Sequence, residues 1–185
     1  MPTVIRRNER SWAIELITKI NSVAYNNDLL IKRAGGENTI STGRGNTMFP
    51  DVILYGDTEQ SIFLQGWELK MPDVPIEDDT FVKDAQRKAI ALNLNSCLIW
   101  NFTYAVLYIR NEDDTFKLVK QWSDTCMIKT RPDVETYRAE WENLLEIIVI
   151  EINKYFVSGE FRQSSLGDVI SNTTITTLVQ RNKVL

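Results

Sequence analysis

The chain has 185 residues, 43% of them hydrophobic and 25% charged, with a formal net charge of −4. That is enough for one domain with a proper core, or for one domain and a helical appendage, and the acidic balance speaks against a large basic surface for nucleic acid. There is no histidine, which excludes Ser-His-Asp and Cys-His catalysis and His-ligated zinc, so any metal must be held by oxygen ligands, as Mg²⁺ or Mn²⁺ are.

No apolar run approaches the roughly 18 residues that a membrane-spanning helix needs. The opening "MPTVIRRNER" carries basic residues with no hydrophobic stretch behind them, so it is not a secretory signal. Cys97 and Cys126 both sit in apolar settings and read as reduced packing residues of a cytoplasmic protein.

In chain order, "NERSWAIELITKINSVAY" predicts a helix with Asn8 as N-cap and Trp12, Leu16, Ile20 and Val23 at helical spacing. "DLLIKR" reads as the first strand. Residues 34–47, rich in Gly, Thr and Asn, read as a loop or loose hairpin tip. "MFPDVILYG" and "SIFLQGWELK" are strands joined as a hairpin by "DTEQ".

After a loop whose "EDDT" is a helix cap region comes the helix "FVKDAQRKAIALNL", with Phe81, Ala85, Ala89 and Leu92 on one face. "NSCLIWNF", "YAVLYIR" and "TFKLVKQW" are three further strands, the last two joined by the turn "NEDD". "PDVETYRAEWENLLEIIVIEINKYFVSG" reads as one long helix started by Asp133 and stopped near Ser158-Gly159. A second helix starts at Ser165, with Asp168 at capping-box spacing, and runs to the last residue, as a piece of a longer protein would. The five tryptophans read as core or strand-packing residues.

The hairpin carries the chemistry. Alternate strand residues share a face, so Glu68 and Lys70 lie with Gly66, Leu64 and Ile62, and the neighbouring strand offers Phe49, Asp51, Ile53 and Tyr55. Asp51, Glu68 and Lys70 are thereby expected to converge, with Gly66 leaving room beside them. Two carboxylates brought together among apolar side chains cost several kcal/mol unless a cation joins them. A divalent metal would answer that, and a lysine on the same face could hold or deprotonate an attacking water. Without Asp51, Glu68 and Lys70 would read as the solvated end of a half-buried strand. The chain has three Pro-Asp pairs but only one Asp/Glu-x-Lys, at Glu68, and only Pro50-Asp51 precedes it within reach of one hairpin.

"PD" at Pro50-Asp51 followed by "ELK" at Glu68–Lys70 resembles the PD-(D/E)XK nuclease superfamily, whose members include restriction endonucleases and Holliday-junction resolvases. The wider run from "NERSWAIELI" through "LNLNSCLIWN", roughly residues 8 to 110, is similar to a nuclease-like domain at the front of large bacterial restriction–modification or phage-defence proteins. The resemblance implies an α/β, restriction-endonuclease-like mixed sheet flanked by helices, with residues 1–125 as the nuclease-like core and 126–185 as a helical extension. It implies a Mg²⁺-dependent DNA endonuclease, with Mn²⁺ able to substitute. Asp51 and Glu68 match the metal-binding carboxylates, the Leu69 carbonyl is a third ligand to consider, and Lys70 matches the catalytic lysine.

A further acidic ligand from the first helix is expected at Glu9, with Glu15 as its rival, although both also read as helix-surface charges. Gln86 or Lys88 on the following helix would contact substrate. Arg44, in the "GRG" tip, would touch a phosphate backbone; that tip lacks the Lys-Ser/Thr of a P-loop. DNA is the implied partner, with a linked methyltransferase and target-recognition domain, and a dimer as the means to cut both strands. The alternative is a catalytically inactive module of the same fold that binds DNA or a partner domain. A third reading is an adaptor whose long C-terminal helix docks a partner helix.

Overall fold

The computed structural model describes residues 8–36 and 49–168. Helix α1 (Glu9–Asn26) begins where Asn8 adopts extended backbone and its side chain accepts a hydrogen bond from Ser11 N, while the Ser11 hydroxyl accepts one from Asn8 N. That reciprocal cap meets two of the donors a helix start leaves open. The expected stripe follows, with Trp12, Leu16 and Ile20 buried.

Strand β1 (Arg33–Gly36) lies one step later than expected, within residues assigned to a loop; "DLLIKR" contributes only Arg33. Leu29 and Ile31 are buried nonetheless. Their segment needs no strand partner, because the Asn153 side-chain oxygen accepts from Leu30 N at 2.8 Å and Ile31 N at 3.4 Å. β1 pairs antiparallel with β2 (Val52–Tyr55), and β2 with β3 (Ile62–Leu69), as the hairpin reading requires. Helix α2 (Asp79–Ala91), capped by the Asp78 side chain on Thr80 N, then crosses to β4 (Ser96–Trp100), which runs parallel to β3. β5 (Ala105–Arg110) and β6 (Phe116–Trp122) complete an antiparallel meander.

The expected single C-terminal helix is two: α3 (Arg131–Thr136) and α4 (Arg138–Val157), separated at Tyr137, whose φ of −105° and ψ of 37° leave the helical region. The start is Thr130, not Asp133; Asp133 is the third residue of α3, and its carboxylate accepts from Thr130 N. α4 stops at Ser158, and Gly159 takes φ +80°, the left-handed conformation that glycine adopts without steric cost. A two-residue strand, β7 (Ser164–Ser165), returns to pair with Ile62 and Phe63 at the start of β3. Ser165 and Asp168 bond each other as a capping box would. The rest of that expected helix, and Arg44 with its "GRG" tip, lie outside the described residues.

The result is a mixed α/β architecture, an open and mostly antiparallel seven-stranded sheet in the order β1-β2-β3-β4-β5-β6, with helices on its faces. Two cores flank it. On one face, α1 and α4 cover Val52, Leu54, Trp67, Leu69 and Trp100 with Trp12, Leu16, Trp141 and Ile148. On the other, α2 lays Ala85, Ala89 and the following Leu92 over Phe49, Ile53, Tyr55, Phe63, Cys97 and Ile99. Because α4 shares the first core with α1 and the sheet, the described residues from Ile128 to Phe161 that enter that core pack with the strands as one body. All five tryptophans are buried. Cys97 is buried as expected but Cys126 is exposed, since Thr125 and Ile128 fill the interior positions of that turn. Among the described residues no helix is long and apolar enough to cross a membrane.

Candidate functional site

Pro50 and Gly66 fix the geometry of the hairpin. Gly66 sits opposite Ile53, and a Cβ built on it would lie 2.5 Å from Pro50 Cγ. The room that Gly66 leaves is therefore filled by the proline ring, not by the charges, and the ring's seat sets where Asp51 emerges. Asp51 Oδ2 accepts a hydrogen bond from Leu69 N at 2.8 Å, pinning the acid across the strand pair next to Glu68.

The face expected for β3 needs one correction. Leu54 pairs with Gln65 but Tyr55 pairs with Phe63, so Leu64 is an extra residue, a β-bulge. The bulge turns Leu64, and Ile62 with it, toward the α1/α4 core. Phe63 takes their place beside Ile53 and Tyr55. The alternation holds from Gly66 onward, and Trp67 lies opposite the charges as expected.

Glu68 thus lies at the end of β3 on the α2 face, in register with Ile99 and only 4% exposed. Its closest cation comes from α2. Lys88 Nζ donates to Glu68 Oε1 at 2.7 Å, whereas Lys70 Nζ stands 4.0 Å from Glu68 Oε2. Ala85 and Ala89 pack α2 against the sheet, and the Lys88 side chain, 11% exposed, reaches Glu68 from that helix. Lys88 also pairs with Asp84 Oδ2 at 2.9 Å, one helical turn back, and Asp84 Oδ1 accepts from Arg87 at 2.6 Å. Lys70 N donates to Trp100 O at 2.9 Å, and its ammonium lies 5.1 Å from the centre of the Phe81 ring. That contact gives Phe81 a role beyond the expected apolar face of α2.

The electrostatics follow from this crowding. Burial, and then the charge of Asp51, push the Glu68 carboxyl up from 4.5 to about 7 against the pull of Lys88 and Lys70. Burial would lower the Lys88 ammonium, but the charge of Glu68 and the bonds to Glu68 and Asp84 outweigh it and the net direction is upward. The Cys97 thiol is pushed up by its burial and by Glu68. The site is a repelling carboxylate pair with an ammonium pressed against one member.

Hard oxygen donors fit a Mg²⁺-class ion. Asp51 and Glu68 would hold it, with the Leu69 carbonyl next in sequence. No group of three or more acidic or cysteine side chains arranged for a metal occurs among the described residues. Glu9 opens α1, whose buried side chains pack on the opposite core with Trp67 and Leu69. Glu15 is on the same helix and is bonded to Arg138 at 3.0 Å. Gln86 lies half-buried beside Ala85 and has no hydrogen bond to the acids among the described residues. The residue that sequence reasoning placed at the edge of the site and the structure places in its centre is Lys88; its spacing of four from Asp84 was the available signal.

No protein-family model, curated protein or solved structure matches the chain.

Proposed function

We propose that the chain is a divalent-metal-dependent DNA endonuclease domain with a restriction-endonuclease-like fold. The observation that carries this reading is the gathering of Asp51, Glu68, Lys70 and Lys88 at one end of β3, with Glu68 buried and its carboxyl raised to about 7 beside a second carboxylate. A fold seldom keeps such a repelling pair inside unless a cation belongs there. The order of helix, three strands, crossover helix and parallel strand adds support.

In this reading Asp51 and Glu68 bind Mg²⁺, which when bound polarises a phosphate oxygen and offsets charge developing on it. Lys70, less constrained than Lys88, holds the attacking water in line with the scissile phosphorus; as the new phosphorus–oxygen bond forms, the bond to the leaving sugar oxygen breaks, the water's proton passes to solvent and the leaving oxygen takes one up from solvent. The Leu69 N–H keeps Asp51 aimed. Target choice belongs to a linked recognition module, which suits a chain with a net charge of −4.

The test is plasmid nicking by the purified chain with Mn²⁺, beside Lys70→Ala prepared identically. Nicking by the parent and not by the variant is expected; equal nicking by both would overturn the assignment. A second reading, a module of the same fold that binds DNA or a partner without cutting, draws on the 2.7 Å bond from Lys88 to Glu68. That bond supplies Glu68 with a counter-charge from within the chain, and such a module predicts no Mn²⁺ binding.

A further inference from the structure

Lys88 makes two bonds to acids of different standing. Glu68 is 4% exposed and lies next to Asp51, while Asp84 is 35% exposed and sits one turn away on the ammonium's own helix. The two contacts, 2.7 Å and 2.9 Å, place Nζ between them. An ammonium and a divalent ion held on the same carboxylate oxygen repel each other as like charges a few ångströms apart. Lys88 and a metal at Oε1 therefore compete for Glu68, each weakening the other's hold. Asp84 is the only other acid bonded to Lys88 among the described residues, and it is anchored by Arg87 on its other oxygen.

We propose that Lys88 is an internal counter-ion that occupies the cation's place on Glu68 and is handed to Asp84 when a divalent ion binds. The inference rests on the metal-binding reading above. It assigns Asp84 a positioning role: without touching the ion, it sets how readily Lys88 gives way. The i, i+4 spacing lets the ammonium swing to Asp84 by side-chain rotation while α2 stays in place. Between metal-binding events the arrangement keeps Glu68 from standing buried and unpaired, the costly state for a charge inside a protein.

The experiment is a double-mutant cycle read by Mn²⁺ binding, using electron paramagnetic resonance at pH 8 on the parent, Asp84→Asn, Lys88→Met and the double variant, each checked for folding by circular dichroism. Asp84→Asn is expected to weaken Mn²⁺ binding about 10-fold in the parent, because Lys88 then has no second acid to accept it. In the Lys88→Met background the same change is expected to do nothing. Weakening of equal size in both backgrounds would make Asp84 a direct ligand and overturn the proposal, as would no effect in either. A parent that binds no Mn²⁺ while Lys88→Met does would support it in its strongest form, the counter-ion having won outright. Absence of Mn²⁺ binding in all four folded proteins would overturn the metal reading itself, and the proposal with it. Absence of plasmid nicking alongside a normal cycle would remove the nuclease reading and leave this one standing.

Discussion

The two faces of the sheet are built from opposite materials. Under α1 and α4, Trp12, Trp100, Phe102 and Trp141 meet edge-on or tilted with ring centroids 5.3–6.4 Å apart, an arrangement whose quadrupoles add to the burial of large apolar surface. Arg138 lies over Trp12 and Trp141 and binds Glu15 and Glu142 at the rim, where water still reaches it. Under α2 the helix offers alanines, and the space they leave is taken by Glu68 and the Lys88 stem. One face stabilises the fold by volume; the other spends part of that stability on holding charge. The same β3 serves both, with Trp67 and Leu69 turned one way and Gly66 and Glu68 the other.

That contrast can be broken at several points. The largest expected effect is on the aromatic face: Trp141→Ala should cost about 3–5 kcal/mol in denaturant unfolding. Mn²⁺ affinity should be unchanged wherever the chain is still folded, and a fall in affinity there would show that the faces are not separable.

Next comes the pH dependence of the α2 face. Because the folded carboxyl of Glu68 sits near 7 against 4.5 in the free side chain, the native state binds its proton more tightly than the unfolded state does. Stability is then highest below about 4.5 with respect to this group and falls as pH rises to about 7. The total loss is roughly 3 kcal/mol, at about 1.4 kcal/mol per pH unit. Glu68→Gln should remove that slope in metal-free unfolding curves; an unchanged slope would place the perturbed group elsewhere.

Gly66→Ala is smaller and more diagnostic. Its Cβ has to displace the Pro50 ring, for about 1–3 kcal/mol of overpacking, and Asp51 moves with Pro50. Loss of Mn²⁺ binding out of proportion to loss of stability is expected, and a proportionate loss would deny that ring its aiming role. The smallest effect is at Glu9, where Glu9→Ala should change stability by no more than about 0.5 kcal/mol, its helix-dipole contribution. Mn²⁺ affinity should stay put, and a clear drop would return α1 to the site.

Much of this contrast was legible in the sequence, for identifiable reasons. The α1 stripe and its Asn8 cap, the hairpin, α2 and the three later strands follow from periodicity and turn residues that act over a few positions. Asp51, Glu68 and Lys70 could be grouped because a hairpin has a short reach. Three features could not be read. The break at Tyr137 has no Gly or Pro to mark it. β1 escaped because Asn153, far along the chain, supplies the bonds that leave Leu29 and Ile31 buried outside a strand. The Leu64 bulge reverses the alternation without any unusual residue, so Ile62 and Leu64 were put on the wrong side. Lys88 was within the candidate set, but only the closeness of α2 to β3, set by Ala85 and Ala89, ranks it ahead of Lys70 at Glu68.

The crossover from β3 to β4 through α2 also bears on the order of assembly. The bonds that define the site are local: Asp51 to Leu69 spans 18 positions and Glu68 to Lys88 spans 20. The bonds that close the aromatic face join Glu15 to Arg138 and Lys19 to Glu142, each 123 positions apart. Loop closure over the shorter spans costs less entropy and completes sooner. As the chain is synthesised, the charged pair can therefore form while Trp12 and Trp100 still lack their α4 cover, and it is the aromatic face that waits, open to aggregation or to a chaperone, for the last third of the protein.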